Sequence, residues 1–288
     1  MISVIICSVD DALLQAVRLN IAQTIGVPHE ILVAHNKGSD EGICSVYNRL
    51  AATAQFAYVC FIHEDVVLHT ADWGHMLMQA FEDNKVGLVG ISGTVYKSAY
   101  AAVWSACDTS LYRVTAIQHF KQSGKVVPAH YNPQQENYSA VAVIDGVLMA
   151  TTKVIWQQHP FNEGLLKGFH CYDIDFSLQI HQAGYHIKVL QQVLLEHFSE
   201  GKLNESWLLD SLALHKRYAG YLPLVVGNVP NALQRKSDYM SLVAVLSMLL
   251  QYKGYKAKAL RYYFLLITRY FQYNRLQFTK QVLRYLVK

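Results

Sequence analysis

Charge is scarce in this chain: 16% of its 288 residues are Asp, Glu, Lys or Arg, against 52% hydrophobic and 12% aromatic. Intrinsic disorder needs the opposite balance and is excluded. With only 6 prolines and 16 glycines, collagen-like and low-complexity chains are excluded too, and no internal repeat is visible. Five cysteines, Cys7, Cys44, Cys60, Cys107 and Cys171, are odd in number, never spaced CxxC and mostly set in apolar runs. They read as reduced core residues of a cytosolic protein. No apolar stretch reaches the ~18 residues of a membrane span; the nearest is YMSLVAVLSMLL at 239–250. The start, MISVIICSVDD, lacks both the basic region and the apolar length of a secretory signal. The expectation is a cytoplasmic protein, soluble or at most peripheral at the inner face of the cell membrane.

The most informative absence is of acid at one end. The last carboxylate is Asp238, and residues 239–288 carry nine Lys/Arg, which leaves 16 bases against 21 acids before them. The net +4 thus divides into −5 for the body and +9 for the tail. Such a split points to an anionic partner for the tail and says nothing about the fold.

What is present is an alternation. Ile2–Cys7 is a β-branched run fit for a buried strand, and Leu13, Leu14, Val17 and Ile21 follow at helical spacing. Strands are then expected at Glu30–His35, Phe56–Ile62 and Val86–Ile91, with helices at Ser45–Ala54 and Asp72–Glu82 between them. Strand alternating with helix means βαβ units and a mostly parallel sheet, whose ligands bind beyond the carboxyl ends of the strands. Residues 93–140, rich in Tyr, Ser, Ala and Gln, break the pattern and read as excursions of the sheet or an acceptor-facing insertion. Order returns with VAVIDGVLMAT at 141–151 and a helix near Lys153–His159. A further helix is expected over Asp173–Gln182, capped by Gly184, before a strand at His186–Leu190. Everything from Ser206 reads helical.

Three loops follow strands: Ser8–Asp11, Asn36–Gly42 and His63–Asp65. The last, in FIHEDVVL, ends an apolar strand in the adjacent carboxylates Glu64 and Asp65, either a polar terminus or oxygen ligands for Mg²⁺ or Mn²⁺. Asp173 and Asp175 open a helix, where acids either favour the dipole or, facing a cleft, take a proton as general base; Asp173 could face the cleft while Asp175 caps. His197, among 13 histidines, follows a strand and precedes a Ser/Gly turn, where a neutral imidazole could complete a cation's shell.

In order along the chain, MISVIICSVD, NKGSDEG, FIHEDV, VIDGVLMAT, FNEGLLKGFHCYDIDFSLQIHQAGYHI and EHFSEG resemble an inverting family 2 glycosyltransferase of the GT-A fold. Within it they resemble the bacterial glycosyltransferase-like branch whose metal motif reads HxD. The resemblance covers residues 1 to about 205 and implies an α/β fold, a Rossmann-like, mainly parallel sheet flanked by helices, with residues 206–288 as an α-helical C-terminal extension. It implies that Ser8 and Asn36 hold the nucleotide and that Asn48, in VYNRLAA, belongs to the same region, as Glu64 does beside the metal motif. Asp65 corresponds to the acid that holds the metal on the diphosphate, with His63 in place of the first acid and His197 joining the metal or diphosphate. Asp145 and Gly146 match the sugar loop, and Asp173 the catalytic base.

The implied activity is transfer from a nucleotide-diphosphate sugar, UDP favoured, to a hydroxyl of a glycan or lipid-linked acceptor in bacterial surface polysaccharide synthesis, with Mn²⁺ or Mg²⁺ as cofactor. The alternative is a catalytically degenerate nucleotide-sugar binder or scaffold, because His63 departs from the two-acid motif. A nucleotidyltransferase would show a Gly-rich, basic loop after the first strand, which Ser8–Asp11 is not. For the tail, KGYKAKALRYYFLLITRYFQYNRLQFTKQVLRYLVK, the readings are a peripheral helix on an anionic bilayer or a helical hairpin packed on the body or on a second copy in a homodimer. No nucleic-acid reader motif accompanies its bases.

Overall fold

In the computed structural model, which describes residues 1–121, 123–273 and 276–287, without the side chains of 276, 277, 286 and 287, the expected alternation is present. The first half runs β1 (Ile2–Ser8), α1 (Asp11–Thr24), β2 (His29–His35), α2 (Ile43–Thr53), β3 (Tyr58–Ile62), β4 (Val66–Leu68), α3 (Trp73–Ala80) and β5 (Val86–Gly90). Local chemistry explains these limits. The Asp10 side chain accepts from the N–H groups of Ala12 and Leu13 and starts α1, whose Leu14, Val17 and Ile21 are buried on one face.

Residues 93–140 include excursions of the sheet, one of the two features expected there. The strands are β6 (Ser92–Thr94), β7 (Tyr96–Lys97), β8 (Tyr112–Phe120), β9 (Lys125–Tyr131) and β10 (Tyr138–Val141), with the irregular segments 98–108 and 132–137 between them. There follow β11 (Val143–Ile144), β12 (Leu148–Thr152), α4 (Lys153–Gln158), α5 (Tyr172–Gln182), β13 (His186–Leu190) and β14 (Leu195–His197). Gly184, at φ 88°, ends α5 as expected.

The main sheet has the order β10-β13-β5-β12-β3-β1-β2. Strands β1, β2, β3, β5 and β13 run one way, while β12 and β10 oppose them. Alternation along β1 sends Val4 and Ile6 into a core with α1 and α3, and Ile5 into a larger core with α2 and α5. A second sheet, β11-β6-β8-β14-β4 with β9 on β8, stands over the carboxyl ends of the main strands. Its β14 carries His197 opposite Val66 of β4, next to Asp65.

The C-terminal extension is α6 (Glu205–Arg217), β15 (Leu224–Val225), α7 (Asn231–Leu249), α8 (Lys256–Arg269) and α9 (Leu276–Val287). The all-helical expectation fails over 218–230, where Gly220, Pro223, Gly227 and Pro230 interrupt the helices and β15 pairs with β7. The larger core continues across residue 205: Trp207, Leu208 and Leu214 of α6, Leu242 and Val245 of α7, and Leu266 of α8 are all buried in it. Polar contacts add to this. The Tyr96 hydroxyl (2.7 Å) and the Ser98 hydroxyl (2.6 Å) both donate to Asp238 Oδ1, and buried Lys97 meets His215 Nε2 at 2.9 Å.

Candidate active site

The carboxyl ends of β1, β2 and β3 bring the three expected loops together. Glu64 accepts from the Ser8 hydroxyl (2.6 Å), from Val9 N–H (3.0 Å) and from Asp10 N–H (3.3 Å). Its carboxylate therefore braces the turn between β1 and α1, and Ser8 is engaged in the same brace. Asn36 is buried; its N–H donates to Ser8 O at 2.6 Å and its amide to Glu41 O at 2.9 Å, which holds the 36–42 loop closed. Asn48 lies elsewhere. Its side chain donates to Phe161 O (2.8 Å) and accepts from Phe161 N–H (3.0 Å) and Trp156 Nε1–H (3.2 Å), so it joins α2 to the segment after α4 instead of lining the cleft.

Asp65 points the other way from Glu64, toward two histidines. Its Oδ1 is 3.5 Å from His197 Nε2 and 4.0 Å from His63 Nδ1, and one ligand atom from each of the three residues lies within 4.8 Å of the others. Burial pushes the Asp65 carboxyl up, but His197, Ser199 and His63 together hold it well below the usual carboxylate range. His63 is held below the usual imidazole value, first by burial and then by the neighbouring His197, so its neutral, ligating form is favoured. His63 Nε2 meets the Tyr172 hydroxyl at 2.8 Å, and that hydroxyl donates to Gly146 O at 3.3 Å. With the phenol's proton on Gly146, Nε2–H of His63 donates to the phenol oxygen and Nδ1 turns its lone pair toward Asp65. Gln118 Oε1, 3.1 Å from His197 Nδ1, fixes the second ring in the same way.

Nε2 of His197 is buried and, among the described residues, has no hydrogen-bond partner. An orphaned imidazole nitrogen facing a carboxylate and a second imidazole is a donor set suited to a divalent cation. These residues fit the expected metal.

Asp173 stands at the start of α5, after Cys171, which takes the left-handed conformation (φ 62°). Its Oδ1 accepts the Ile174 N–H at 2.8 Å. Burial, and secondly the charge of Asp145, push its carboxyl up to about 7. Asp145 is itself fixed, accepting Trp104 Nε1–H at 2.6 Å and Val147 N–H at 2.8 Å. Gly146 is required here, because a Cβ would stand 2.3 Å from the Tyr172 hydroxyl. The expected cap Asp175 does not cap. It is buried and accepts from Tyr218 OH (3.0 Å) and Gln179 Nε2 (2.7 Å), since residues two apart on a helix face nearly opposite ways.

Two clefts meet at His63. One, of about 400 Å³, holds Asp173, Asp145, Trp104, His197 and Lys202; the other, of about 370 Å³, holds Asp65, Tyr47, Val9, Lys121 and Phe169. Trp104 and Gln118 have no local sequence signature; Gln118 reaches the site from β8 of the second sheet and Trp104 from the segment between β7 and β8.

Residues 3–215 match a family model described as a glycosyltransferase like family. No curated protein sequence matches the chain. Among solved structures, GalNAc-T7 with UDP, GalNAc and Mn²⁺ is similar at a TM-score of 0.54 and 9% identity, over 75% of this chain and 47% of that one. This chain therefore spans about half of GalNAc-T7. S. aureus TarS 1–349 in complex with UDP is similar at 0.52 and 12%, over 89% and 75%. The mannosyltransferase PcManGT from Pyrobaculum calidifontis, in complex with GDP-Man and Mn²⁺, is similar at 0.50 and 14%, over 99% and 84%. The chain belongs to the glycosyltransferase-like family, and its fold is GT-A.

Proposed function

We propose that this protein is an inverting glycosyltransferase that moves a sugar from a nucleotide-diphosphate sugar, UDP favoured, to a hydroxyl of a glycan or lipid-linked acceptor during assembly of a bacterial surface polysaccharide. The observation that carries the reading is Asp173: a carboxyl pushed up to about 7, in a cleft that adjoins the His63, Asp65 and His197 cluster. A nucleotide-binding scaffold has no use for a tuned base. Family membership and the nucleotides in the similar structures, UDP and GDP-Man, support the donor class.

Asp65, His197 and His63 would hold Mn²⁺ or Mg²⁺, whose charge would stabilise the departing diphosphate. Ser8 and Asn36 keep the strand-end loops in the shape that receives the nucleotide. Asp173 takes the proton of the acceptor hydroxyl as that oxygen bonds to the anomeric carbon and the carbon–phosphate oxygen bond breaks on the opposite side, which inverts the centre. Asp145, beside Gly146, raises the basicity of Asp173. One base in one displacement suffices, with no protein nucleophile.

Asp173→Asn is expected to lower transfer by 10²- to 10⁴-fold, about the worth of a positioned base, while UDP with Mn²⁺ still raises the melting temperature as in the wild type. Transfer by the variant at the wild-type rate would overturn the assignment. NMR of the new glycosidic bond, showing the anomer opposite to the donor's, tests inversion. A panel of UDP-, GDP-, dTDP- and CMP-sugars read by thermal shift identifies the donor, because a ligand of the folded state stabilises it; no shift with any of them would favour the scaffold reading.

A further inference from the structure

The chemistry above leaves the acid-free end of the chain unused. Residues 239–288 hold nine Lys/Arg and no Asp or Glu, and the seven bases whose side chains are described are all exposed. Among them stand large apolar side chains in water. On α8, Leu260 is 43% and Phe264 64% exposed, one helical turn apart on one face, with exposed Arg261 beside them. Phe271 (64%) follows the end of α8, and Leu283 (58%) protrudes from α9 next to Arg284. The buried side of α8 is already satisfied: Ala259 and Leu266 lie in the core, and Tyr262 packs on Tyr100 with ring centroids 6.3 Å apart. The exposed side is therefore a separate surface.

We propose that α8 and α9 dock in the plane of an anionic bilayer, with Leu260 and Phe264 at the acyl boundary and Arg261, Arg284 and their neighbours among the headgroup phosphates. The charge pattern selects this occupant. A two-fold contact with a second copy would press two acid-free basic faces together, which costs energy. A nucleic acid would satisfy the bases but leave the aliphatic Leu260 and Leu283 in water. No described helix is long and apolar enough to cross a membrane, so the contact lies on the surface. On its buried side the extension is held by Tyr100, which also meets Tyr270 beyond α8 with ring centroids 6.3 Å apart. The inference goes beyond the transferase reading and does not depend on it.

The test is flotation of the full-length protein with vesicles containing phosphatidylglycerol, against pure phosphatidylcholine vesicles. Binding is expected to the anionic vesicles, at least tenfold weaker to the neutral ones, and lost near 1 M salt, where the screening length falls to about 3 Å. Arg261→Gln with Arg284→Gln is expected to weaken partition about 30-fold, and Phe264→Ser about tenfold, each with unchanged circular dichroism. Failure to bind anionic vesicles overturns the proposal. So does equal binding to neutral vesicles, tighter binding to polyuridylate than to vesicles, or a stable dimer that Phe264→Ser dissociates. UDP-induced thermal shifts on the same preparations keep a failed dock distinct from a failed donor site.

Discussion

The pH behaviour of the site rests on Asp173, whose carboxyl moves from 3.8 to about 7. Between those values the folded chain holds a proton that the unfolded chain has released, so this residue lowers stability as pH rises and costs most above about pH 7. Asp173→Asn cannot ionise. At pH 8 it is expected to be more stable than wild type by about 1 to 4 kcal/mol, and at pH 4 to be equal to it, in urea unfolding curves. Catalysis has the opposite sign: kcat/KM is expected to rise about tenfold per pH unit below 7 and to level above it. A flat profile over this range would remove the base. Tyr172 gives a second prediction. Tyr172→Phe keeps the ring against Tyr47 (centroids 5.7 Å) but removes the oxygen that orients His63. Its Mn²⁺ affinity, by calorimetric titration, should fall about 10- to 100-fold; unchanged affinity would exclude His63 as a ligand. At this scale the acids were legible as a cluster but not individually. Glu64 and Asp65 are neighbours on a strand end and turn to opposite sides, so one braces a loop and the other faces the histidines.

The elements of the βαβ half are legible because each depends on short-range chemistry: the apolar run of β1, the Asp10 cap of α1, the positive φ of Gly184. The second sheet is not, because its pairing is remote. Strand β8 pairs with β14 through Ala116 and Leu195 and with β6 through Val114 and Ser92. Each strand alone is short or irregular, and nothing local shows that it will be covered. The same holds for the seam between β7 and α7, where Asp238 accepts two hydroxyls, from Tyr96 and Ser98. Asp238→Ala leaves both without an acceptor and is expected to cost about 2 to 4 kcal/mol in urea unfolding, with faster hydrogen exchange in α7 than in β1. Uniform exchange across the chain would mean that the seam does not hold the extension.

For the whole molecule, the −5 and +9 halves of the charge meet at one residue, since the last acid of the chain is also the clamp that joins the extension to the body. Beyond it the extension spends its apolar residues twice, inward on the core and outward at Leu260 and Phe264. By itself the sequence determined the alternation of strands and helices in the βαβ half, the loops that gather at its strand ends, the family, and the placing of an acid at the start of α5. These follow from period, caps and motifs within a few residues of one another. Only the tertiary structure decided that His63 and His197 share one carboxylate, that Glu64, Asn48 and Asp175 support the frame, and that Trp104 reaches Asp145. Those contacts join residues far apart in the chain, and their geometry exists only once the sheets and helices have packed.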